Sequence, residues 1–181
     1  MTEAKETGFV LFWKAPHWGC QWTDSPFTID DIQYSCTEQW MMAEKARLFG
    51  DEDTRKRILK SEDPKQMKAL GRKVRFGQLH WQVKDFDEQK WKDNCLEIVY
   101  KGNMAKFLQN PEMKKQLLAT GNKTIAEASP LDKIWGIGLD ASDKRAKNQK
   151  EWQGQNLLGI ALMKVRDTLR KEDTKGGSSK T

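Results

Sequence analysis

The stretch CTEQWMMAEKARLFG, residues 36–50, decides how the chain is read. Its spacing predicts a helix that stops at Gly50, a common helix terminator. Ser35 or Thr37 is expected to cap its start. At roughly 100° per residue, Met41, Met42, Leu48 and Phe49 point within about 80° of Glu38. Lys45, seven residues after Glu38, returns to nearly the same direction. Trp40 and Arg47 point the other way. A carboxylate and an amine therefore stand on the face expected to meet the core. One account is structural: a partly buried ion pair, or a lysine whose stem packs while its ammonium reaches water. The other is chemical. Charged groups in apolar surroundings are costly unless well satisfied, and such settings move pKa values toward catalytic use. Spacing alone does not choose.

Upstream, FTIDDIQYS (27–35) alternates, and Asp30-Asp31 can turn a short hairpin. PHWGCQWTDSP (16–26) reads as a loop, punctuated by proline and glycine, with Trp13, Trp18 and Trp22 close together. GFVLFWKA (8–15) reads as a strand. Downstream, DTRKRILK (53–60) predicts a short helix. DPKQMKALG (63–71) predicts another, with Asp63 as cap, Pro64 at its first position and Gly71 at its end. RKVRFGQLHWQV (72–83) is ambiguous. FDEQKWKDNCLEIVYKGNMAKFLQ (86–109) reads as one long helix. Asn110 and Pro111 open the next, which closes at Gly121. KTIAEAS (123–129) suggests a strand. NLLGIALMKVRDTLRKE (156–172) carries an apolar helical stripe of Leu158, Ala161, Leu162, Val165 and Leu169. The expected fold is α+β and predominantly helical, a single compact domain with a few short strands. Residues 1–8 are expected to be a flexible N-terminus, 9–170 the domain and 171–181 a disordered tail.

Composition bounds the function. The chain has 181 residues, 37% hydrophobic and 32% charged, with formal net charge +6. That balance favours anionic partners such as nucleotides, phosphorylated sugars or nucleic acid. No apolar run is long enough to span a bilayer, and MTEAKETG lacks the pattern of a secretory signal. Cys20, Cys36 and Cys95 are odd in number and have no C-x-x-C spacing, so a disulfide framework or structural zinc site is not expected. A reducing interior, cytoplasmic or nuclear, fits. No G-x-x-x-x-G-K-[ST] or G-x-S-x-G appears, and WGIGL lacks the third glycine of a dinucleotide fingerprint.

The segment SPLDKIWGIGL (129–139) offers a second constellation. Asp132 and Trp135 are three apart, followed by Gly136 and Gly138. The glycines let backbone approach a ligand, the indole offers a stacking face, and the carboxylate can accept a sugar hydroxyl or move a proton. A buried tryptophan in a glycine-rich turn explains the same pattern.

Taken in order, SPFTIDDIQYSCTEQWMMAEKA, Gly71-Arg72, Trp91, KFLQNPEMKKQLLATG, DKIWGIGL and NLLGIALMKVR resemble the NADAR family, which includes the YbiA-like N-glycosidases. The resemblance covers residues 9 to 170. It implies cleavage of a bond between ribose C1 and a nitrogen. Two substrate classes come with it: ADP-ribose on guanine, in DNA, RNA or a nucleoside, and ribosylamino-pyrimidine phosphates of riboflavin synthesis. A non-catalytic ADP-ribose-binding module is the third alternative. The resemblance implies catalytic roles for Glu38, Lys45 and Asp132. In the scheme it suggests, Glu38 moves protons at the ribose and neutral Lys45 attacks the opened sugar as an imine. In the competing scheme Glu38 or Asp132 activates water and Lys45 only supports charge. Arg72, Trp91, Trp135, Gly136 and Asn156 carry over as substrate-binding residues. Where the family often reads L-S-N-F, this chain reads Gly19-Cys20-Gln21-Trp22, so Cys20, Gln21 and Trp22 are expected at that wall. The scheme calls for no metal and no cofactor. The expected partner is an ADP-ribose-containing substrate, with no membrane, acted on by a monomer.

Overall fold

The computed structural model describes residues 8–61 and 85–177. The expected helix over 63–71, the ambiguous run 72–83 and Arg72 lie outside the described residues. In chain order the elements are β1 (Phe9–Phe12), β2 (Phe27–Ile29), β3 (Ile32–Tyr34), α1 (Thr37–Leu48), α2 (Glu52–Leu59), α3 (Glu88–Gln109), α4 (Pro111–Leu118), β4 (Thr124–Glu127) and α5 (Leu157–Gly177). Two short 3-10 turns, Lys144–Lys147 and Gln149–Glu151, precede α5. The architecture is α+β and predominantly helical. Residues 1–23 with 107–181 form one compact unit, and residues 24–106 form another.

In the unit 24–106, β2 and β3 pair antiparallel with Phe27 opposite Tyr34 and Ile29 opposite Ile32. The two linking residues, Asp30 and Asp31, have φ of 50° and 61°. Positive φ at both central residues gives a turn whose twist matches that of the strands, and aspartate tolerates the conformation better than most residues. The paired rings of Phe27 and Tyr34 stack at 5.6 Å, and Trp40 meets Tyr34 edge-on at 5.2 Å. Each such pair stabilises by about 0.5–1.5 kcal/mol beyond its buried area.

Helix α1 starts differently from expectation. Its N-cap is Cys36, which makes no side-chain capping bond. Ser35 instead donates from its backbone N–H (2.8 Å) and hydroxyl (3.2 Å) to Oε1 of Gln39. The Gln39 amide then donates to the Ile58 carbonyl at 3.1 Å, joining the start of α1 to the end of α2. Gln39 thus reaches back from the first turn to the residue before the cap, a contact akin to the reciprocal half of a capping box rather than a cap on the helix's own N–H groups.

The one-sided reading of α1 also needs correction. Every residue from Thr37 to Ala46 is buried, including Trp40 at 2% exposure, whereas Leu48 and Phe49 are only half-buried. The cause is that α1 is enclosed on several sides. Helix α2 and strand β3 lie against it, and Trp40 reaches α3, where its indole N–H donates to the Ile98 carbonyl at 2.8 Å. A methyl group at Gly102 would overlap that indole, so only glycine admits the ring this close to the helix backbone.

In the other unit, β1 and β4 pair parallel, Phe9 opposite Thr124 through Phe12 opposite Glu127. Helix α5 packs on β4 through Leu158, Ala161, Leu162, Val165 and Leu169, all buried as the stripe predicts. It continues to Gly177, past the point where the sequence reading ends it. The buried Arg166 donates to Oγ1 of Thr120 and the Lys123 carbonyl. Arg170 donates to the carbonyls of Leu118 and Gly121. Those cations brace the turn that follows α4.

Candidate active site

Lys45 and Glu38 lie two turns apart on α1, 4% and 7% exposed. The other carboxylate of that helix, Glu44, is engaged by Arg47, whose Nε sits 3.0 and 2.9 Å from its two oxygens. Glu38 instead interacts electrostatically with Lys45. Two aromatic rings near the amine come from the start of α3 and the residues just before it. Asp87 caps that helix by accepting the Lys90 N–H at 2.9 Å, and its carbonyl accepts the Trp91 N–H at 3.0 Å. The cap fixes Trp91 in the first turns. Nζ of Lys45 lies 5.0 Å from the centroid of the Trp91 ring and 4.5 Å from that of Phe86. Cys95, four residues after Trp91 and so on the same face of α3, is buried, and its thiol donates to the Lys92 carbonyl at 3.6 Å.

Burial dominates the electrostatics of this cluster. It pushes the Lys45 pKa from 10.5 down to about 8, against the opposing pull of Glu38 and a smaller one from Cys95. It pushes the Cys95 thiol up, with Lys45 opposing. Desolvation disfavours each charged form. The arrangement yields a lysine that loses its proton near neutrality beside a carboxylate able to shuttle one.

The unit formed by 1–23 and 107–181 holds a second group of expected site residues. Oδ1 of Asp132 accepts the N–H groups of Ile134 and Trp135, both at 2.8 Å, closing a tight turn. Trp135 is half-buried beside it. Gly136 is buried; a Cβ there would stand 2.9 Å from the carbonyls of Asp132 and Glu127, so the turn closes only on glycine. The carbonyls of Ile134 and Trp135 accept the N–H groups of Leu157 and Leu158, tying the turn to the first residues of α5. Asn156, with φ of 55°, is a latch: Oδ1 accepts the Glu127 N–H at 3.1 Å and Nδ2 donates to the Ile125 carbonyl at 3.0 Å. Cys20 and Gln21 are buried in a turn where the Cys20 N–H donates to the His17 carbonyl, and Trp22 is half-buried.

Around the lysine the structure thus gathers Glu38, Lys45 and Trp91, and within the other unit Asp132, Trp135 and Gly136. Arg72 lies outside the described residues. Sequence reasoning missed Phe86 and the pairing of Cys95 with Lys45. The i, i+4 spacing of Trp91 and Cys95 carried the second signal; Phe86, read from sequence as the first residue of the long helix, lies just before α3 begins at Glu88. Among the described residues no cluster of three His, Cys, Asp or Glu could hold a metal ion, and no helix is long and apolar enough to cross a membrane.

The NADAR domain family model matches residues 6–170. The chain is 47% identical over 135 residues to N-glycosidase R617 of Acanthamoeba polyphaga mimivirus, covering 75% of this chain and 74% of that one. It is 32% identical over 143 residues to Riboflavin biosynthesis protein VVA0006 of Vibrio vulnificus, covering 79% of this chain but 33% of that longer protein. The NMR structure of the E. coli protein YbiA superposes with a TM-score of 0.70 at 22% identity, covering 92% of this chain and 88% of that one, which establishes a shared fold.

Proposed function

The chain belongs to the NADAR domain family, and on that premise we propose that it is an N-glycosidase that removes ADP-ribose from ADP-ribosylated guanine, in nucleic acid or nucleoside. The bond hydrolysed joins ribose C1 to the exocyclic nitrogen of the base. The likeness to the mimivirus N-glycosidase supports the reaction class. The observation that carries the mechanism is the buried Lys45 amine beside Glu38, its pKa lowered to about 8.

The chemistry runs as follows. Glu38 protonates the ribose ring oxygen; the ring C1–O bond breaks as the exocyclic nitrogen lone pair forms a C1=N bond. The neutral amine of Lys45 adds to C1. A proton passes from Nζ to the nitrogen of the base, whose bond to C1 then breaks, leaving the sugar as an iminium on Lys45. Water adds to C1 and gives its proton back to Glu38. The amine departs, and the sugar closes to its hemiacetal. Asp132 is assigned to ribose hydroxyls or proton transfer, and Trp135 to stacking.

Incubation with an oligonucleotide carrying ADP-ribosylated guanine is expected to release ADP-ribose and the unmodified base. Borohydride added during turnover is expected to fix a sugar-mass adduct on Lys45. Turnover with no adduct shifts the mechanism to direct attack by water. A second reading, cleavage of ribosylamino-pyrimidine phosphates, draws on the likeness to the Vibrio vulnificus riboflavin protein. Consumption of that substrate without release from guanine would reverse the order of the two.

A further inference from the structure

We propose that Phe86 and Trp91 are positioning residues for the amine of Lys45, holding positive charge on Nζ against their ring faces, first as the ammonium and then as the iminium formed with ribose C1. The iminium step rests on the reading above; the ammonium step does not. The geometry carries the idea. Nζ lies 4.5 Å from the centroid of Phe86 and 5.0 Å from that of Trp91, both within the range at which a ring quadrupole attracts a cation. Phe86 is itself positioned. Its ring packs at 5.1 Å on Phe49, four residues after Lys45, and Lys90 lies over the Phe49 ring at 5.4 Å. Asp85, with φ of 54°, turns the chain into this site just before the Asp87 cap.

Rings suit this task better than a second carboxylate. They exclude water and so keep the amine nucleophilic, yet they stabilise the cation that forms once the amine has reacted. They also cannot take its proton or attack C1. Glu38 on α1 and Cys95 on α3 both act on Lys45 and favour its charged form. Burial, the larger effect, opposes them. The two ring faces therefore set how far the amine can be desolvated before it ceases to hold charge at all.

The two possible roles of the rings predict different outcomes. Leucine keeps the apolar bulk but lacks the quadrupole. In substrate-free protein, the pH dependence of Lys45 acylation by a small anhydride, read by mass spectrometry, should show a midpoint near 8. Phe86→Leu and Trp91→Leu should each lower it by about half a pH unit. Phe86→Tyr, which retains a ring face, should leave it in place. A midpoint that stays put or rises toward 10.5 in both leucine variants overturns the proposal, because rings acting only as a water seal give that result. Two variants guard against one failing to fold. Above pH 9, kcat should fall about two- to fivefold in the leucine variants with little change in KM. If the midpoints move as expected but wild-type protein yields no borohydride adduct, the ring role stands and the imine route falls.

Discussion

At pH 7 an ordinary lysine offers about one free amine in three thousand; with its pKa at about 8, Lys45 offers about one in ten. That gain in nucleophile is bought with stability. The unfolded lysine keeps its proton up to about 10.5, whereas the folded one gives it up near 8, so between those values the unfolded state binds more protons and stability rises with pH. Below pH 8 the buried charge costs about 3 kcal/mol. In a Glu38→Gln background, where no carboxylate is left wanting a counter-charge, adding Lys45→Met should raise stability at pH 7 by at least about that amount, because Glu38 no longer supports the charge; Lys45→Met alone should abolish turnover. Urea unfolding at pH 7 and pH 10 checks it: the advantage of methionine should shrink at the higher pH. Equal gains at both values would mean that the amine is not desolvated. Asp132→Asn makes a second residue-scale test. Asparagine can still accept both N–H groups that close the turn, so the fold should survive while the charge is lost. A drop in kcat/KM of about 10²-fold or more is expected if the carboxylate handles protons, with an unchanged melting temperature.

Among the elements, α1 shows what sequence could and could not convey. Its helical character, its end at Gly50 and the approach of Glu38 to Lys45 were all legible, because they depend on local spacing. The burial of Trp40 was not. It depends on α3, whose first residue lies 48 positions later than Trp40, and on the bare backbone at Gly102. The same limit applies to Phe86, which is brought to the lysine by a loop rather than by periodicity. The hairpin turn at Asp30-Asp31 and the stripe of α5 were readable for the same local reason as α1. The latch made by Asn156 was not, since its partners sit 29 and 31 residues earlier. Gly102→Ala tests the α1–α3 contact directly. It should cost about 1–3 kcal/mol through overpacking against Trp40. Because the indole is tied to Ile98, the displacement should reach α1 and lower kcat as well. Loss of stability with kcat intact would place the contact outside the machinery.

For the whole molecule the relevant property is charge. A formal charge of +6 and a pI near 9.2 favour any polyanion, but the proposed chemistry needs only the two phosphates of ADP-ribose. Salt separates those contributions. If the protein holds the strand flanking the modified guanine through about three phosphates, log(kcat/KM) for a single-stranded oligonucleotide should fall with log salt at a slope near −2. That is about a 20-fold loss between 50 and 200 mM. Free ADP-ribosylated guanosine, with only its pyrophosphate to attract, should lose no more than about threefold over the same range. At saturation kcat should hold for both, since the reacting amine is buried and screened little by salt. Parallel slopes for the two substrates would assign the basic surface to the pyrophosphate alone and make the nucleoside, rather than nucleic acid, the molecule on which the enzyme acts.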